Sequence, residues 1–233
     1  MLVAIGALVG LWLFRRELRR SGLPDDGIDA AIAGVVGGMA GAKLLWVFEH
    51  LCEAPAIDLL LSRGGMSWFG GFAGGVLAGL VVMQRKRLPK VAILAAAAPA
   101  LAAGHAIGRI GCLLVGDDYG RPTDLAWGMA FPGGLPPTSA PVHPTQIYEA
   151  LALVPLTILL FRWRRQHRAD AFILGAYLLW AGTIRFAIEF LRVNERVVGP
   201  FSVAHLASMV VIVLGLALVL RSGRPIQPEH TIA

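Results

Sequence analysis

Long apolar runs recur along this chain, and alternate runs end in clusters of arginine and lysine. That pattern leaves few folds open. Backbone facing lipid must satisfy its own hydrogen bonds, which only helices and closed barrels do. No stretch shows the alternation, over roughly ten residues, of a barrel strand, so the runs are read as helices.

With 56% hydrophobic residues and a mean hydropathy of +0.67, the chain belongs in a bilayer. About seven spans are expected, near residues 1–14, 28–48, 68–83, 91–115, 147–161, 171–191 and 201–220. The fold class is therefore all-α, a polytopic membrane protein forming one transmembrane domain over 1–233. The first run is short, about 14 residues or roughly 21 Å of helix against a core of about 30 Å. Either partners complete it or the chain starts further upstream, and the upstream start is the reading adopted.

The basic clusters set the orientation. Arg15, Arg16, Arg19 and Arg20 follow the first run, and Arg85, Lys86, Arg87 and Lys90 follow the third. Arg162, Arg164, Arg165 and Arg168 follow the fifth, and Arg221 and Arg224 the seventh. Most of the 21 Lys and Arg thus fall on one side, which the positive-inside rule makes cytoplasmic. The N-terminus is then outside and the C-terminus inside. The net charge of +6 is explained by topology and contact with anionic membrane lipid, so no nucleic acid is implied.

Glycines mark the second run (Gly34, Gly37, Gly38, Gly41) and the third (Gly70, Gly71, Gly74, Gly75, Gly79). Such spacing lets helix backbones approach closely in lipid, and it also leaves space for a bulky acyl chain. Cys52 in an outer loop and Cys112 near the outer end of the fourth run are able to pair in an oxidising compartment, though no spacing pattern demands it. No metal-ligand cluster, nucleotide loop or nucleophile elbow is present, so neither metal nor cofactor is expected.

Chemistry concentrates in residues 108–149, GRIGCLLVGDDYGRPTDLAWGMAFPGGLPPTSAPVHPTQIYE. An apolar helix delivers Arg109 near its end, and a Gly- and Pro-rich stretch follows with Asp117, Asp118, Arg121 and His143. Arginine inside an apolar helix is costly unless an anion meets it. Asp117 or Asp118 would supply a structural partner, while a phosphate would suit the planar guanidinium fork. His105 lies one turn earlier on the same face. In TIRFAIEFLR, Arg185 and Glu189 stand four residues apart and pair on one helix face, with Arg192 nearby. Together with Arg109 they suit a phospholipid head group and a departing phosphate. In HPTQIYE, Pro144 opens a helix that Thr145 or Gln146 caps, leaving His143 at the interface as a candidate proton acceptor. Tyr148 and Glu149 are open to either packing or site roles.

The order GMSWFGG, GRIG-x4-G-x-x-YGR, HPTQIYE and RFAIEFLR resembles the prolipoprotein diacylglyceryl transferases over nearly the whole chain. The resemblance implies transfer of a diacylglyceryl group from phosphatidylglycerol to the lipobox cysteine of prolipoprotein signal peptides, releasing glycerol 1-phosphate. It implies an enzyme at the outer face of the bacterial inner membrane, working without metal or cofactor. Matched by position, Arg109 becomes the arginine that contacts phosphatidylglycerol, and Arg185 and Glu189 the second arginine and its acidic neighbour. Asp117 stands where that family has Glu, and Gly120 and Arg121 close the central signature. The chain departs from the pattern at Phe69 for a histidine, Cys112 for an asparagine, Val142 for an arginine, and in lacking a tyrosine in its first run. His105 or His143 would then take over the missing base. The rival readings are a catalytically silent lipid- or lipoprotein-binding paralogue, a small anion transporter, and thiol chemistry at Cys112.

Overall fold

In the computed structural model the described residues are 2–62 and 65–222. Met1 of the first run and Arg224 of the last basic cluster lie outside them. The chain forms α1 (Leu2–Arg20), α2 (Gly27–Glu49), α3 (Ala56–Leu61), α4 (Trp68–Arg85) and α5 (Lys90–Val115). Strands β1 (Met129–Phe131) and β2 (Thr138–Val142) follow, then α6 (Thr145–Arg165), α7 (Asp170–Glu189) and α8 (Val203–Ser222).

Five of these helices, α2, α5, α6, α7 and α8, are long and apolar enough to cross a membrane. Apolar α4 is shorter, and α1 is 19 residues long with its second half charged. The all-α expectation needs one amendment, because β1 and β2 pair antiparallel between α5 and α6. Pro and Gly punctuate that segment and forbid a helix, so its backbone is satisfied by a short hairpin instead.

The residues cluster into two compact units, 15–93 and 1–14 with 94–233. In the first, α2 and α4 meet backbone to backbone. A methyl group added to Gly38 would lie 3.2 Å from the Gly71 carbonyl oxygen, and one on Gly75 would lie 2.9 Å from that of Gly34. The glycine faces therefore serve close packing, and no acyl chain fits between them. Lys86, after α4, binds Asp26 at 2.5 Å and also Asp29, which ties the loops following α1 and α4 together. Those two hydrogen bonds hold its ammonium above the usual lysine range.

In the second unit, Ala95, Ala98 and Ala102 of α5 pack on Leu153, Leu156 and Leu160 of α6 and Ile173 of α7. Small residues on one helix accept branched ones from the next, which is how helices associate where lipid is as apolar as leucine. The Trp180 indole N–H donates to the Ala152 carbonyl at 3.1 Å, pinning α7 to α6. Helices α7 and α8 cross at Gly175 and Gly215, where an added methyl on Gly175 would stand 2.8 Å from the Gly215 carbonyl. Large side chains such as Leu151, Ile158, Val213 and Leu214 remain exposed, as lipid-facing residues do. Cys52 and Cys112 are both free thiols, so the pairing weighed from the sequence is not formed.

Candidate active site

The site is assembled where α5 stops. Gly116, at φ +71°, closes the helix: its N–H reaches the Leu113 carbonyl, and the Asp117 N–H reaches that of Cys112. This is a Schellman ending, and it needs the left-handed conformation that glycine adopts without strain. Asp118 follows, also left-handed at φ +61°, a conformation aspartate tolerates better than most residues. The chain thus turns back over the last turns of α5, and the Asp118 carboxylate meets Arg109.

The first turn of α6 fixes that corner. Thr145 donates its hydroxyl to the Asp118 carbonyl at 2.8 Å, and the Gln146 amide donates to the Asp117 carbonyl at 2.5 Å. Neither side chain caps α6, contrary to the expectation from the sequence; the cap position is Pro144. The two carbonyls, stripped of helical partners by the turn, compete for those donors and win. Gly120 and Arg121 act through their backbone. The Gly120 N–H donates to the His143 carbonyl at 2.9 Å and the Arg121 N–H to the Leu191 carbonyl at 2.7 Å, while His143 donates back to Arg121. A methyl on Gly120 would stand 2.7 Å from the Leu191 carbonyl, so this clamp between the loop and the end of α7 requires glycine.

One helical turn inside α6, Glu149 is the hub. Only 2% exposed, it accepts from Arg109 Nε through Oε2, and His105 Nε2 stands 3.7 Å from the same oxygen. Its Oε1 faces Arg185 Nη1 at 3.8 Å. Arg109 Nη1 donates to Asp118 Oδ2 at 2.8 Å, and Arg192 Nη2 binds Asp118 Oδ1. Arg185 Nη2 lies 2.8 Å from Glu189 Oε2, the pairing expected from their spacing. Glu189 is fully buried, and its Oε1 accepts from Ser202 Oγ at 2.5 Å and Asn194 Nδ2 at 2.8 Å. Ser202 belongs to the lead-in to α8, where the His205 Nδ1 accepts its backbone N–H at 3.1 Å. His205 is enclosed by Phe186, Phe190 and Phe201.

Three guanidinium groups and three carboxylates therefore interlock from α5, α6, α7 and the adjoining loops. Buried charge of this kind survives only with good geometry and further hydrogen bonds. Two facing atoms lack the latter. Arg185 Nη1 and Glu149 Oε1 are buried and form no hydrogen bond with the described residues. Burial tends to push the Asp118 carboxyl upward, but the hydrogen bonds from Arg192 and Arg109 outweigh it and hold the group below its ordinary range.

Of the residues singled out from the sequence, Arg109, His105, Arg185 and Glu189 come together. His143 is buried beside the loop clamp, with its Nδ1 at 3.3 Å from the Tyr148 hydroxyl rather than in the arginine cluster. Tyr148 also accepts from Trp127 Nε1 at 2.8 Å, which makes it a packing residue of the same corner. Between Asp117 and Asp118, the arginines choose Asp118; Asp117 Oδ1 is buried without a hydrogen-bond partner among the described residues. Glu149, left open between packing and site, proves central. Asn194, Ser202 and His205 were not foreseen. A serine just before an apolar run signals a helix start, but its hydroxyl here is diverted to Glu189. Of the departures from the resembled pattern, Phe69 is exposed in the first turn of α4, and Cys112 Sγ lies 3.8 Å from Arg109 Nη1.

The sequence matches the family model for prolipoprotein diacylglyceryl transferase over residues 1–221. It is 33% identical to the phosphatidylglycerol–prolipoprotein diacylglyceryl transferase of Geobacter sulfurreducens, over 98% of this chain and 92% of that protein. The enzyme of the same name from Shewanella sp. strain ANA-3 is 31% identical over 93% of this chain and 84% of its own length. That of Clostridium tetani is 29% identical, over 92% and 88%. The chain belongs to the prolipoprotein diacylglyceryl transferase family.

Proposed function

We propose that the protein transfers a diacylglyceryl group from phosphatidylglycerol to the lipobox cysteine of prolipoproteins, at the outer face of the bacterial inner membrane. The observation that carries the reading is the buried pair Arg185 Nη1 and Glu149 Oε1, both without hydrogen bonds to the described residues inside a cluster of three arginines. Buried polar atoms are nearly always satisfied, and unused ones beside arginines mark a place for a ligand's oxygens. A phosphodiester supplies such oxygens.

The thiol sulfur attacks the glyceryl carbon that bears the phosphate. A carbon–sulfur bond forms, the carbon–oxygen bond breaks, and glycerol 1-phosphate leaves with the electron pair. Arg109 and Arg185 stabilise the charge that grows on the departing phosphate. Glu149 and Glu189 hold those guanidinium groups in place before substrate arrives, and Asp117 lines the approach beside Cys112. The thiol proton passes to a base, and of the two histidines His105 is the better placed. It lies beside the Arg109–Glu149 pair with its side chain 48% exposed, within reach of an incoming thiol. His143, with Gly120 and Arg121, shapes the loop that covers the site.

In this reading α1, α2 and α4 to α8 all cross the membrane, with the N-terminus outside and the C-terminus in the cytoplasm. The link from Lys86 to Asp26 and Asp29 supports it, because it joins two loops that the basic clusters assign to the cytoplasmic side. The arginine cluster belongs to the opposite ends of α5 and α7, facing outward. The arrangement favours an enzyme over an anion transporter, since its charges gather at one end of the helices.

The test is transfer by purified protein in phosphatidylglycerol vesicles, with a lipobox peptide as acceptor and mass spectrometry as readout. Lipidated peptide and released glycerol phosphate, both strongly reduced with Arg109→Ala, are expected. Phosphatidylglycerol bound through Arg109 without any product would identify a silent binding paralogue instead.

A further inference from the structure

Asp118 holds the position that an incoming phosphate needs. Its two oxygens divide between two arginines, Oδ2 on Arg109 Nη1 at 2.8 Å and Oδ1 on Arg192 Nη2. That is how two guanidinium groups cradle a phosphate, with a carboxylate in its place.

The charge count makes the same point. Arg109, Arg185 and Arg192 face Asp118, Glu149 and Glu189 in direct ion pairs, so the interlocked cluster is neutral as it stands. A phosphodiester monoanion added to it would leave one negative charge in excess inside a largely buried site. One carboxylate has to give way. Glu149 and Glu189 are 2% and 0% exposed, each held by further contacts, and freeing either would strand a buried charge. The Asp118 side chain is 45% exposed. Its backbone is fixed, because Thr145 holds its carbonyl and Gln146 that of Asp117, but among the described residues its carboxylate is tied only by the two arginines. It alone is able to swing into water without moving the scaffold.

We propose that Asp118 is an internal stand-in for the substrate phosphate, and that phosphatidylglycerol enters by displacing its carboxylate from Arg109 and Arg192. The proposal rests on the reading of this cluster as the phosphate site. Asp118 then keeps the arginines paired and oriented while the site is empty, and it sets the affinity for the lipid. Arg192 becomes a third arm of the phosphate cradle once the carboxylate has left.

The test compares wild type, Asp118→Asn, Asp118→Glu and Arg109→Gln as full-length purified proteins. Each is titrated with phosphatidylglycerol in mixed micelles for binding and assayed for transfer to a lipobox peptide, with thermal melting as the check on folding. Asp118→Asn removes the competing charge at nearly constant size, so the apparent KM and Kd for phosphatidylglycerol should fall about tenfold. Asp118→Glu, which keeps the charge, should show no such gain in affinity. An Asp118→Asn protein whose affinity is unchanged or weaker, or which does not fold, overturns the proposal and makes Asp118 a brace. The parent reading is tested separately by Arg109→Gln. If that variant binds phosphatidylglycerol as wild type does, the phosphate site itself is refuted. If it loses binding while Asp118→Asn gains none, only the stand-in role fails.

Discussion

Two regions of this chain join apolar helices by opposite means. Helices α2 and α4 meet through glycine, with carbonyl oxygens where side chains would otherwise be. Helices α5, α6 and α7 meet through alanine and leucine along most of their length, and then through charge at one end. The glycine contact is complete within itself, and dispersion between close backbones suffices to hold it in lipid. The charged contact is not. It carries three arginines, three carboxylates and two facing buried atoms without hydrogen bonds among the described residues, an expensive way to join helices that glycine joins cheaply. Cost without structural return is the mark of a site.

The comparison breaks most readily at its hub. Glu149→Ala leaves Arg109 buried beside a gap, and loss of one partner from such a pair costs about 3–5 kcal/mol. Thermal melting in detergent should show it, together with loss of transfer; a variant as stable as wild type would mean that Glu149 is not the anchor. If Arg109 holds the phosphate as proposed, Arg109→Ala should lower kcat about 10²- to 10³-fold, read in the vesicle assay. In the glycine region, Gly41→Val should destabilise by about 1–3 kcal/mol, because its Cβ would lie only 3.0 Å from the Gly74 Cα. Its transfer rate per folded molecule should not change, which separates the two regions. Ser202→Ala removes a donor from the buried Glu189 carboxylate and should cost about 1.5 kcal/mol of stability by melting.

The smallest effect is a pH dependence. The folded Asp118 carboxyl ionises below its ordinary value near 3.8, so its pairing stabilises the protein above that value. The contribution disappears as pH falls through the lower folded value. Melting curves recorded downward from about pH 5 should therefore show a steeper loss for wild type than for Asp118→Asn. The half-exposed position keeps the difference small.

The sequence disclosed the helices well, because hydropathy reports directly on segments suited to lipid. The runs 28–48, 68–83, 91–115 and 147–161 lie within α2, α4, α5 and α6, the run 171–191 overshoots the end of α7 at Glu189, and the start of the last shifts from 201 to Val203 because Ser202 and His205 form the lead-in turn. It also disclosed Arg109, Arg185 and Glu189, since charge in an apolar run is conspicuous and i,i+4 spacing fixes a pair. The role of Glu149 was not legible. A glutamate one turn into an apolar helix looks alike in sequence whether it faces water or two arginines, and only packing from α5 and α7 decides. The same holds for Asp118 over Asp117: adjacent in sequence, they are separated by a left-handed turn that points one at Arg109. Thr145 and Gln146 looked like helix caps because nothing in the local pattern signals that two orphaned carbonyls stand within their reach.

The central claim is that the charged cluster exists for the substrate and not for the fold. Arg185→Lys tests it most directly. Lysine keeps the positive charge opposite Glu189 but lacks the second arm, Nη1, which lies buried without a hydrogen bond to the described residues. Transfer and thermal stability should be measured on the same preparation. The account predicts a melting temperature close to wild type with transfer reduced roughly 100-fold. Wild-type transfer, or a loss of activity that merely follows the loss of folded protein, would contradict it.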